Sequence, residues 1–488
     1  MRADQAVPLK VLFLASEADP YYKVGGLGDY AGSLPAALAA TAHKNGQPLD
    51  IRVGLPFHQS INVDQSNFKK VTDLKVPKKE GSAKGSVFTQ THNGIPHYFI
   101  RRAGRAGGFS SVYSTSPLQD ARKYIFFSLA SLELARQLDW QPDIIHANDW
   151  HTAVAVYQLQ HTLRQQPFFS HTRSLLVIHN LPFMGAGSGE VLDEFGIPPL
   201  PHIDHLPSWS LHFPLILGME TADHITAVSP SYAEELKEEE FGNGLKDFFR
   251  QNEIRTSGIL NGIDTQKWDP SSDPSLVENF TPDSLGKRQA NKSAVLKMAG
   301  FDPQDERPLL VAVTRLDIQK GTDLLMAAIP QLTDLDWNLI VLGTGDPDYE
   351  KTLLALQERY PQRLRVFLEF NADLSHELYA GGDIFLMPSR YEPCGLSQMI
   401  AMRYGCIPLA RAVGGLRDTI DDASTKTRTG FLFEEASMEA LSAALRKALD
   451  VFKEKQTWQA IQLRAMAQDF SWEKSAVQYL QLYRDLLA

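Results

Sequence analysis

Short apolar runs alternate with amphipathic segments along almost the whole chain. Apolar runs bounded by turn residues and followed by helical periodicity are typical of parallel strands covered by helices. The predicted strands are 10–16, 51–55, 97–101, 143–147, 174–180, 224–229 and 257–260, then 308–314, 338–343, 364–370, 383–388, 407–410 and 430–433. The predicted helices are 31–42, 120–138, 151–163 and 231–238, then 320–329, 349–358, 395–404 and 438–451. The pattern therefore predicts an α/β protein.

A domain boundary is predicted after the segment Asn261-Gly-Ile-Asp264. The residues that follow, 269–274, are rich in Pro, Asp and Ser, which is typical of a linker or a surface loop. In open α/β sheets ligands bind beyond the carboxyl ends of the strands. Because the polar motifs below follow strand ends, we expect one cleft between two domains to collect them. The Lys-, Ser- and Asp-rich stretch 63–84 is predicted to be a surface loop or a flexible insertion.

Composition narrows the class of protein. The chain has 488 residues, 43% of them hydrophobic and 22% charged, and a formal net charge of −10. These values suit a soluble globular protein with a sizeable core and disfavour a nucleic-acid binder. We expect no membrane span and no secretion signal, because no apolar run is long enough. With two cysteines, Cys394 and Cys406, and no metal-type spacing, a reducing compartment is expected, cytoplasmic or plastid-like.

The stretch from Pro388 to Gln398 is the most informative part of the chain. A predicted buried strand stops at Pro388, Glu392 follows, and Gly395 opens a new amphipathic run. A helix start presents free N–H groups and partial positive charge, which suits a phosphate. A carboxylate beside such a site would be repelled unless it holds sugar hydroxyls or a developing cation. The combination predicts a sugar attached to a phosphate.

A second loop with the same character follows the first predicted strand. Lys23-Val-Gly-Gly-Leu-Gly-Asp29 joins that strand to a helix. Its glycines let backbone N–H groups approach a pyrophosphate, and Lys23 adds a point charge. The spacing matches neither a dinucleotide-binding fingerprint nor a Walker A loop, and the glycines could instead only shape a tight turn.

Other polar residues lie at strand ends. Asp149 follows one predicted strand, where it could face a cleft or simply cap the next helix, and His179 ends another. In the second half Arg315 and Lys320 flank a turn, where two cations would neutralise a leaving diphosphate, or would be ordinary surface cations. Gly345 offers a further glycine turn. The two Asp-x-Asp patterns at 334–336 and 346–348 have no supporting ligands, so no metal site is predicted.

These motifs, in this order, resemble the bacterial glycogen synthases and plant starch synthases, which are retaining glucosyltransferases of the GT-B fold. The resemblance runs nearly end to end, and its most specific parts are Lys23-x-Gly-Gly-Leu-Gly-Asp29 and Glu392-Pro-Cys-Gly-Leu396. The family fold implies two Rossmann-like doubly wound domains that face an interdomain cleft. It implies domains 1–262 (acceptor side) and 263–470 (nucleotide-sugar side), with 471–488 as a helix that returns to the first domain.

The resemblance also implies roles for individual residues. Those expected at the reacting sugar are Glu392, Arg315, Lys320, His179 and Asp149. Those expected to bind the nucleotide sugar are Lys23, Gly25, Gly26, Asp29, Asn261, Gly345, Phe370, Cys394, Gly395, Leu396 and Ser397. Phe370 stands where the family usually has an aromatic residue beside the base, and Cys394 is expected to be a small buried filler.

The resemblance implies transfer of glucose from ADP-glucose to the non-reducing end of an α-1,4-glucan, with no cofactor beyond the nucleotide sugar. Segment 181–185, Leu-Pro-Phe-Met-Gly, departs from the common family sequence. That departure motivates one alternative, transfer to a small sugar or polyol acceptor. A second alternative, of another class, is a catalytically weak glucan-binding scaffold. The presence of Lys23, Arg315, Lys320 and Glu392 argues against it, because a mere binder needs no groups that stabilise a leaving diphosphate. The sequence leaves adenine against uracil donors, glucan length and oligomeric state open.

Overall fold

The computed structural model describes residues 7–104 and 111–488. The strands are β1 (Leu9–Leu14), β2 (Leu49–Pro56), β3 (Lys69–Pro77), β4 (Ser82–His92), β5 (Ile95–Arg102), β6 (Ile144–Asn148), β7 (Arg173–Ile178), β8 (His224–Ala227), β9 (Thr256–Gly258), β10 (Leu309–Val313), β11 (Asn338–Leu342), β12 (Leu364–Phe367), β13 (Ile384–Met387), β14 (Ile407–Arg411) and β15 (Phe431–Phe433). Every predicted strand is present, with ends within about three residues of the prediction.

The helices cover the sheets. They are α1 (Gly26–Lys44), α2 (Pro117–Gln137), α3 (Asp149–Gln158), α4 (Gly189–Glu194), α5 (Pro214–Thr221), α6 (Pro230–Glu235), α7 (Lys246–Gln251), α8 (Arg288–Met298), α9 (Thr322–Ala328), α10 (Pro347–Arg359), α11 (Ala372–Gly381), α12 (Ser397–Arg403), α13 (Gly414–Thr419), α14 (Met438–Lys453), α15 (Lys455–Met466) and α16 (Trp472–Leu487). The apolar periodicity predicts α1, α2, α3, α6, α9, α10, α12 and α14, and it misses α4, α5, α7, α8, α11, α13 and α15. Among the described residues no helix is both long and apolar enough to span a bilayer.

The chain divides into two compact units, one of Met1–Gly262 with Trp472–Ala488 and one of Ile263–Ser471. The first unit holds a nine-stranded sheet in the order β3-β4-β5-β2-β1-β6-β7-β8-β9. The second holds a six-stranded, all-parallel sheet in the order β12-β11-β10-β13-β14-β15. Strand order reverses between β1 and β6 in the first sheet and between β10 and β13 in the second, as in doubly wound folds. The predicted α/β class is confirmed.

The prediction of a loop over 63–84 is wrong. Most of this stretch belongs to β3 and the start of β4, which form an antiparallel hairpin paired to β5. Leu74 and Val76 are buried on one face of β3, while the charged residues between and around them point outward. The alternation of a half-buried strand is present but is masked by the high content of Lys and Ser.

Candidate functional site

The topological switch point of the second sheet brings several predicted residues together. Arg315 and Lys320 follow β10, Ser389 and Glu392 follow β13, and Ser397 begins α12. A cavity of about 200 Å³ opens here. It is lined by Val313, Thr314, Arg315, Lys320, Leu386, Met387, Ser389 and Ser397. Ligands of open α/β sheets bind at this place, so the cavity is the candidate site of the second unit.

Glu392 is paired, although its setting in the sequence suggests a lone carboxylate. Lys320 Nζ donates to Glu392 Oε2 over 2.6 Å, and Ser389 Oγ donates to the same oxygen over 3.1 Å. The Glu392 side chain is only 7% exposed, against 19% for Lys320. The ammonium has three N–H donors, so one bond to Glu392 leaves donors for a second anion. The pair therefore places a carboxylate and an available cation side by side.

Arg315 is held more loosely than Lys320. Its guanidinium lies 3.2 Å from Asp317 Oδ2 and donates to Gln319 Oε1 over 3.2 Å, while its side chain is 66% exposed. Asp317 also accepts from the backbone N–H of Lys320 over 2.9 Å. The turn after β10 thus orders the lysine and leaves the arginine free to reorient toward an anion.

Glycines allow the backbone of this site to pack tightly. Gly321 has φ +67°, and a Cβ there would lie 2.0 Å from the Pro388 carbonyl oxygen. Gly414 has φ +44°, and its Cβ would lie 2.1 Å from the Glu392 carbonyl oxygen. Since any larger residue must displace that backbone, the position of Glu392 depends on Gly414.

The predicted helix start lies slightly later than expected. Gly395 has φ +70° and precedes α12, Leu396 is its N-cap residue, and Ser397 is its first residue. The Gln398 amide donates to the carbonyls of Cys394 and Gly395. Cys394 is buried, as expected for a filler.

Two further predicted residues of this unit lie at other strand ends. Gly345 follows β11, and a Cβ there would lie 2.3 Å from the Leu316 carbonyl oxygen, so its role in the structure is close packing of two turns. Phe370 lies beyond β12 and is 95% exposed.

The Asp-x-Asp residues have structural partners: Asp346 caps α10, and Asp334 pairs with Arg446. Among the described residues no cluster of metal-ligating side chains is present.

The switch point of the first sheet holds the glycine loop. Lys23 Nζ donates to Asp29 Oδ1 over 2.7 Å, and Gly26 is the first residue of α1. The Glu17 carboxylate, just beyond β1, accepts hydrogen bonds from the backbone N–H groups of Val24 and Gly25. The buried carboxylate of Glu17 therefore holds the backbone of the glycine loop in one conformation.

Glu17 is a residue that the sequence interpretation missed. It is 1% exposed, and Tyr113 donates to its other oxygen over 3.3 Å. Burial raises the pKa of Glu17 to about 7, against the lowering effect of the hydrogen bonds from Val24 and Gly25. The signal in the sequence was its place directly after the strand, in the same loop as Lys23.

Asp149, which follows β6, is hydrogen-bonded to the backbone that follows β7. It is buried at the start of α3, and its carboxylate accepts from the backbone N–H of His179 over 2.7 Å and of Asn180 over 3.4 Å. The helix-cap alternative is wrong, because the N-cap residue is Asn148 and Asp149 itself has φ +54°. Burial raises the pKa of Asp149 to about 7. A buried carboxylate with a strained backbone is typical of functional sites.

His179 is neutral in this setting. Its Nε2 lies 2.8 Å from Asn148 Oδ1, and burial lowers its pKa to about 3, although part of the residue surface remains accessible. Asn261, after β9, is 5% exposed, and its side-chain oxygen has no hydrogen-bond partner among the described residues. Both side chains can serve as hydrogen-bonding groups for a polar ligand of the first unit.

Family models match both units. A model described as starch synthase catalytic domain matches residues 10–251, and one described as glycosyl transferases group 1 matches residues 297–460. The chain is 38% identical to the glycogen synthase of Anaeromyxobacter dehalogenans strain 2CP-C, over 98% of this chain and 100% of that protein. It is also 38% identical to the glycogen synthase of Thermotoga maritima, over 98% of this chain and 99% of that protein.

Solved structures of two glycosyl-transferring enzymes are similar to this chain over nearly its whole length. The catalytic domain of starch synthase IV from Arabidopsis thaliana, bound to ADP and acarbose, superposes with a TM-score of 0.88 at 31% identity, covering 99% of this chain and 100% of that one. The sucrose-phosphate synthase of Thermosynechococcus elongatus superposes with a TM-score of 0.61 at 20% identity over 98% of this chain and 99% of that one, which shows a shared fold.

Proposed function

We propose a function from one premise: this chain belongs to the glycogen synthase family. It transfers glucose from ADP-glucose to the non-reducing end of an α-1,4-glucan with retention of configuration. The observation that carries the proposal is the Lys320–Glu392 pair beside the cavity of the second unit. A leaving diphosphate needs the cation, and a cation-like glucosyl group needs the carboxylate.

The second unit supplies the donor site. Lys320 and Arg315 bind the diphosphate and stabilise it as it leaves, and Glu392 holds the donor glucose. The turn and helix start at Gly395, Leu396 and Ser397 add hydrogen-bond donors near the phosphates. Gly345, Cys394 and the exposed Phe370, which follow β11, β13 and β12 of the same sheet, complete the nucleotide site. Phe370 can stack on adenine or uracil, so it does not itself select the base.

The first unit supplies groups for the sugar and the acceptor. Lys23 and the backbone of Gly25 and Gly26 contact the donor diphosphate, and Asp29 orients Lys23 through their ion pair. His179 and Asn261 hydrogen-bond the glucose. Asp149 lies near the sugar and the incoming hydroxyl; through its bonds to the backbone of His179 it also fixes the position of that ring.

The reaction proceeds on the front face of the sugar. The bond between the anomeric carbon and the phosphate oxygen breaks, and its electron pair stays on the phosphate. The acceptor hydroxyl oxygen bonds the anomeric carbon from the same side, and its proton passes to that phosphate oxygen. Lys320 and Arg315 stabilise the growing negative charge, and Glu392 stabilises the oxocarbenium-like sugar. Loss of one such preorganised group typically costs a factor of about 10²–10³ in rate.

One experiment tests the proposal against its alternatives. Purified protein is assayed for ADP or UDP release with ADP-glucose or UDP-glucose, each with glycogen, maltose or no acceptor. We expect ADP-glucose and glycogen to give the highest rate and radiolabelled glucose to enter the polymer. Transfer to maltose alone would favour the small-acceptor alternative, and glycogen binding without ADP release would favour the scaffold. A cytoplasmic location stays a prediction, to be checked by a separate measurement.

A further inference from the structure

A short turn next to the first-unit site presents an aromatic ring to solvent. Residues 180–183 form a turn in which the backbone N–H of Phe183 donates to the Asn180 carbonyl over 3.2 Å. Phe183 is 61% exposed, while its neighbours Leu181 and Met184 are buried. An exposed aromatic ring beside residues of a ligand site is available to cover an apolar face of a ligand. Phe183 follows His179 by four positions, and the turn that carries it begins at Asn180, whose backbone N–H donates to Asp149.

The turn is held rigidly. The backbone N–H of Leu181 donates to the Tyr232 hydroxyl over 3.1 Å. Gly185 has φ +82°, and a Cβ there would lie 2.7 Å from the Trp150 ring, beside Asp149. Pro182 further restricts the backbone. The backbone that carries Phe183 is thus fixed before any ligand arrives, which lowers the entropic cost of binding.

A second exposed ring lies on the adjoining segment. The backbone N–H of Leu215 donates to the Met184 carbonyl over 3.2 Å, which ties this turn to the start of α5. On the segment that leads into α5, Trp209 packs against Phe213 with ring centroids 5.7 Å apart and is itself 46% exposed. The two exposed rings are therefore carried by neighbouring, mutually bonded segments of the same unit.

We propose that Phe183 and Trp209 form a binding surface for the acceptor chain, an uncharged α-1,4-linked glucan. The inference rests on the proposed function and adds the residues that recognise the acceptor. A glucosyl ring has apolar C–H faces and a polar rim, so flat aromatic rings cover its faces while its hydroxyls stay in water. Phe183, which is nearer to His179 along the chain and is hydrogen-bonded to Asn180, contacts the glucosyl units close to the reacting end. Trp209 contacts units further along the chain.

Steady-state kinetics on maltooligosaccharides of increasing length test this surface. Phe183→Ala is expected to raise KM for every glucan acceptor by about tenfold, which corresponds to the loss of one aromatic stacking contact of about 1.4 kcal/mol. Trp209→Ala is expected to raise KM by a similar factor for long acceptors, with a smaller effect on short ones. Phe183→Tyr should restore the wild-type KM, because the stacking face is kept. KM for ADP-glucose should not change in any of these variants.

Ile254→Ala is the matched control, because Ile254 is a fully exposed apolar residue of the same unit. It should leave both KM values unchanged. If the wild type elongates glucans while Phe183→Ala and Trp209→Ala keep its KM at every acceptor length, this inference is wrong and the proposed function stands. If the wild type transfers glucose to no glucan, the proposed function itself fails. A rise in KM that is equal for ADP-glucose and glucan would show a general structural effect and would also overturn the surface.

Discussion

Lys320 and Glu392 come from loops after two adjacent strands and form a hydrogen-bonded ion pair of 2.6 Å. The pair answers a physical difficulty that the sequence raises, namely how a carboxylate can lie beside a phosphate site. With Lys320 as its partner, the negative charge of Glu392 is balanced by the ammonium before the donor binds, and the remaining N–H groups of the ammonium are available to an anion.

Removing either partner should stop the reaction for different reasons. Glu392→Gln should lower kcat by at least about 10²-fold, because the amide cannot stabilise positive charge on the sugar. Lys320→Ala should lower kcat by a similar factor and also reduce the free energy of unfolding by about 3 kcal/mol, since it leaves a buried carboxylate unpaired. Turnover assays and urea unfolding measure the two effects.

The exposed ion pair of Arg446 with Asp334 provides the control for this prediction. Asp334→Asn should change turnover little and stability by less than about 1 kcal/mol. Near-normal turnover of Glu392→Gln would remove Glu392 from the assigned role.

Glu17 should act on the donor through the glycine loop. Glu17→Ala leaves the N–H groups of Val24 and Gly25 without their acceptor, so the loop should lose its fixed conformation. We expect KM for ADP-glucose to rise by about tenfold or more, with a smaller change in KM for glycogen. Glu17→Gln keeps one acceptor oxygen and should lie between the wild type and Glu17→Ala. Glu80→Gln, at an exposed residue, should have no effect, and equal changes in both KM values would contradict the assignment.

The raised pKa of Asp149 predicts a pH dependence of stability. Its pKa rises from 3.8 to about 7 on folding, through burial. Between these pH values the folded state keeps a proton that the unfolded state has lost. The free energy of unfolding should therefore fall as pH rises from about 4 to about 7, by up to about 1.4 kcal/mol per pH unit.

Asp149→Asn should flatten this slope, and Asp283→Asn, at an exposed position, should not. Denaturant titrations of the three proteins at pH 5, 6 and 7.5 measure the difference. Parallel curves for the wild type and Asp149→Asn would show that Asp149 is ionised throughout this range.

Gly414 should be essential for the position of Glu392. Gly414→Ala places a Cβ 2.1 Å from the Glu392 carbonyl oxygen in a backbone conformation with φ +44°. We expect a loss of about 2–4 kcal/mol in the free energy of unfolding and a fall in kcat of about tenfold or more. Gly286→Ala is the control, because nothing lies within 4 Å of its added Cβ. Thermal unfolding and turnover of the two variants should differ clearly, and similar values would show that the backbone can relax at no cost.

The last helix should be bound to the first unit by a buried hydrogen-bond chain. Tyr483 of α16 lies 2.6 Å from His146 Nδ1, and Tyr30 of α1 lies 2.8 Å from His146 Nε2. Tyr483→Phe removes one partner of a buried imidazole, so the free energy of unfolding should fall by about 1–3 kcal/mol. Tyr349→Phe, at a half-buried tyrosine of the second unit, should change it by less than about 0.5 kcal/mol. Equal stabilities would show that the chain contributes nothing.

The strands that carry the site were predictable because their signal is local. β1, β10 and β13 are nearly all apolar, as is typical of strands covered on both faces. The hairpin of β3 and β4 was missed because one face of this sheet edge is exposed to solvent. Such an edge tolerates Lys and Ser at every second position, so its composition resembles that of a loop. Short helices such as α13 were missed because their stability comes from tertiary packing and not from their own sequence.

Taken alone, the sequence determined the α/β class, the order of the motifs and the residue types at each strand end, since these depend on neighbours along the chain. The partner of each charge was decided only by the tertiary structure. Glu392 meets Lys320 and Asp149 meets the backbone of His179, because strands far apart in sequence lie side by side in the sheet and bring their loops together. Glu17 meets Val24 within one loop, whose folded conformation brings the carboxylate under the backbone N–H groups. Burial of those carboxylates, and so the raised pKa values of Glu17 and Asp149, likewise arises only when the packed core excludes water around them.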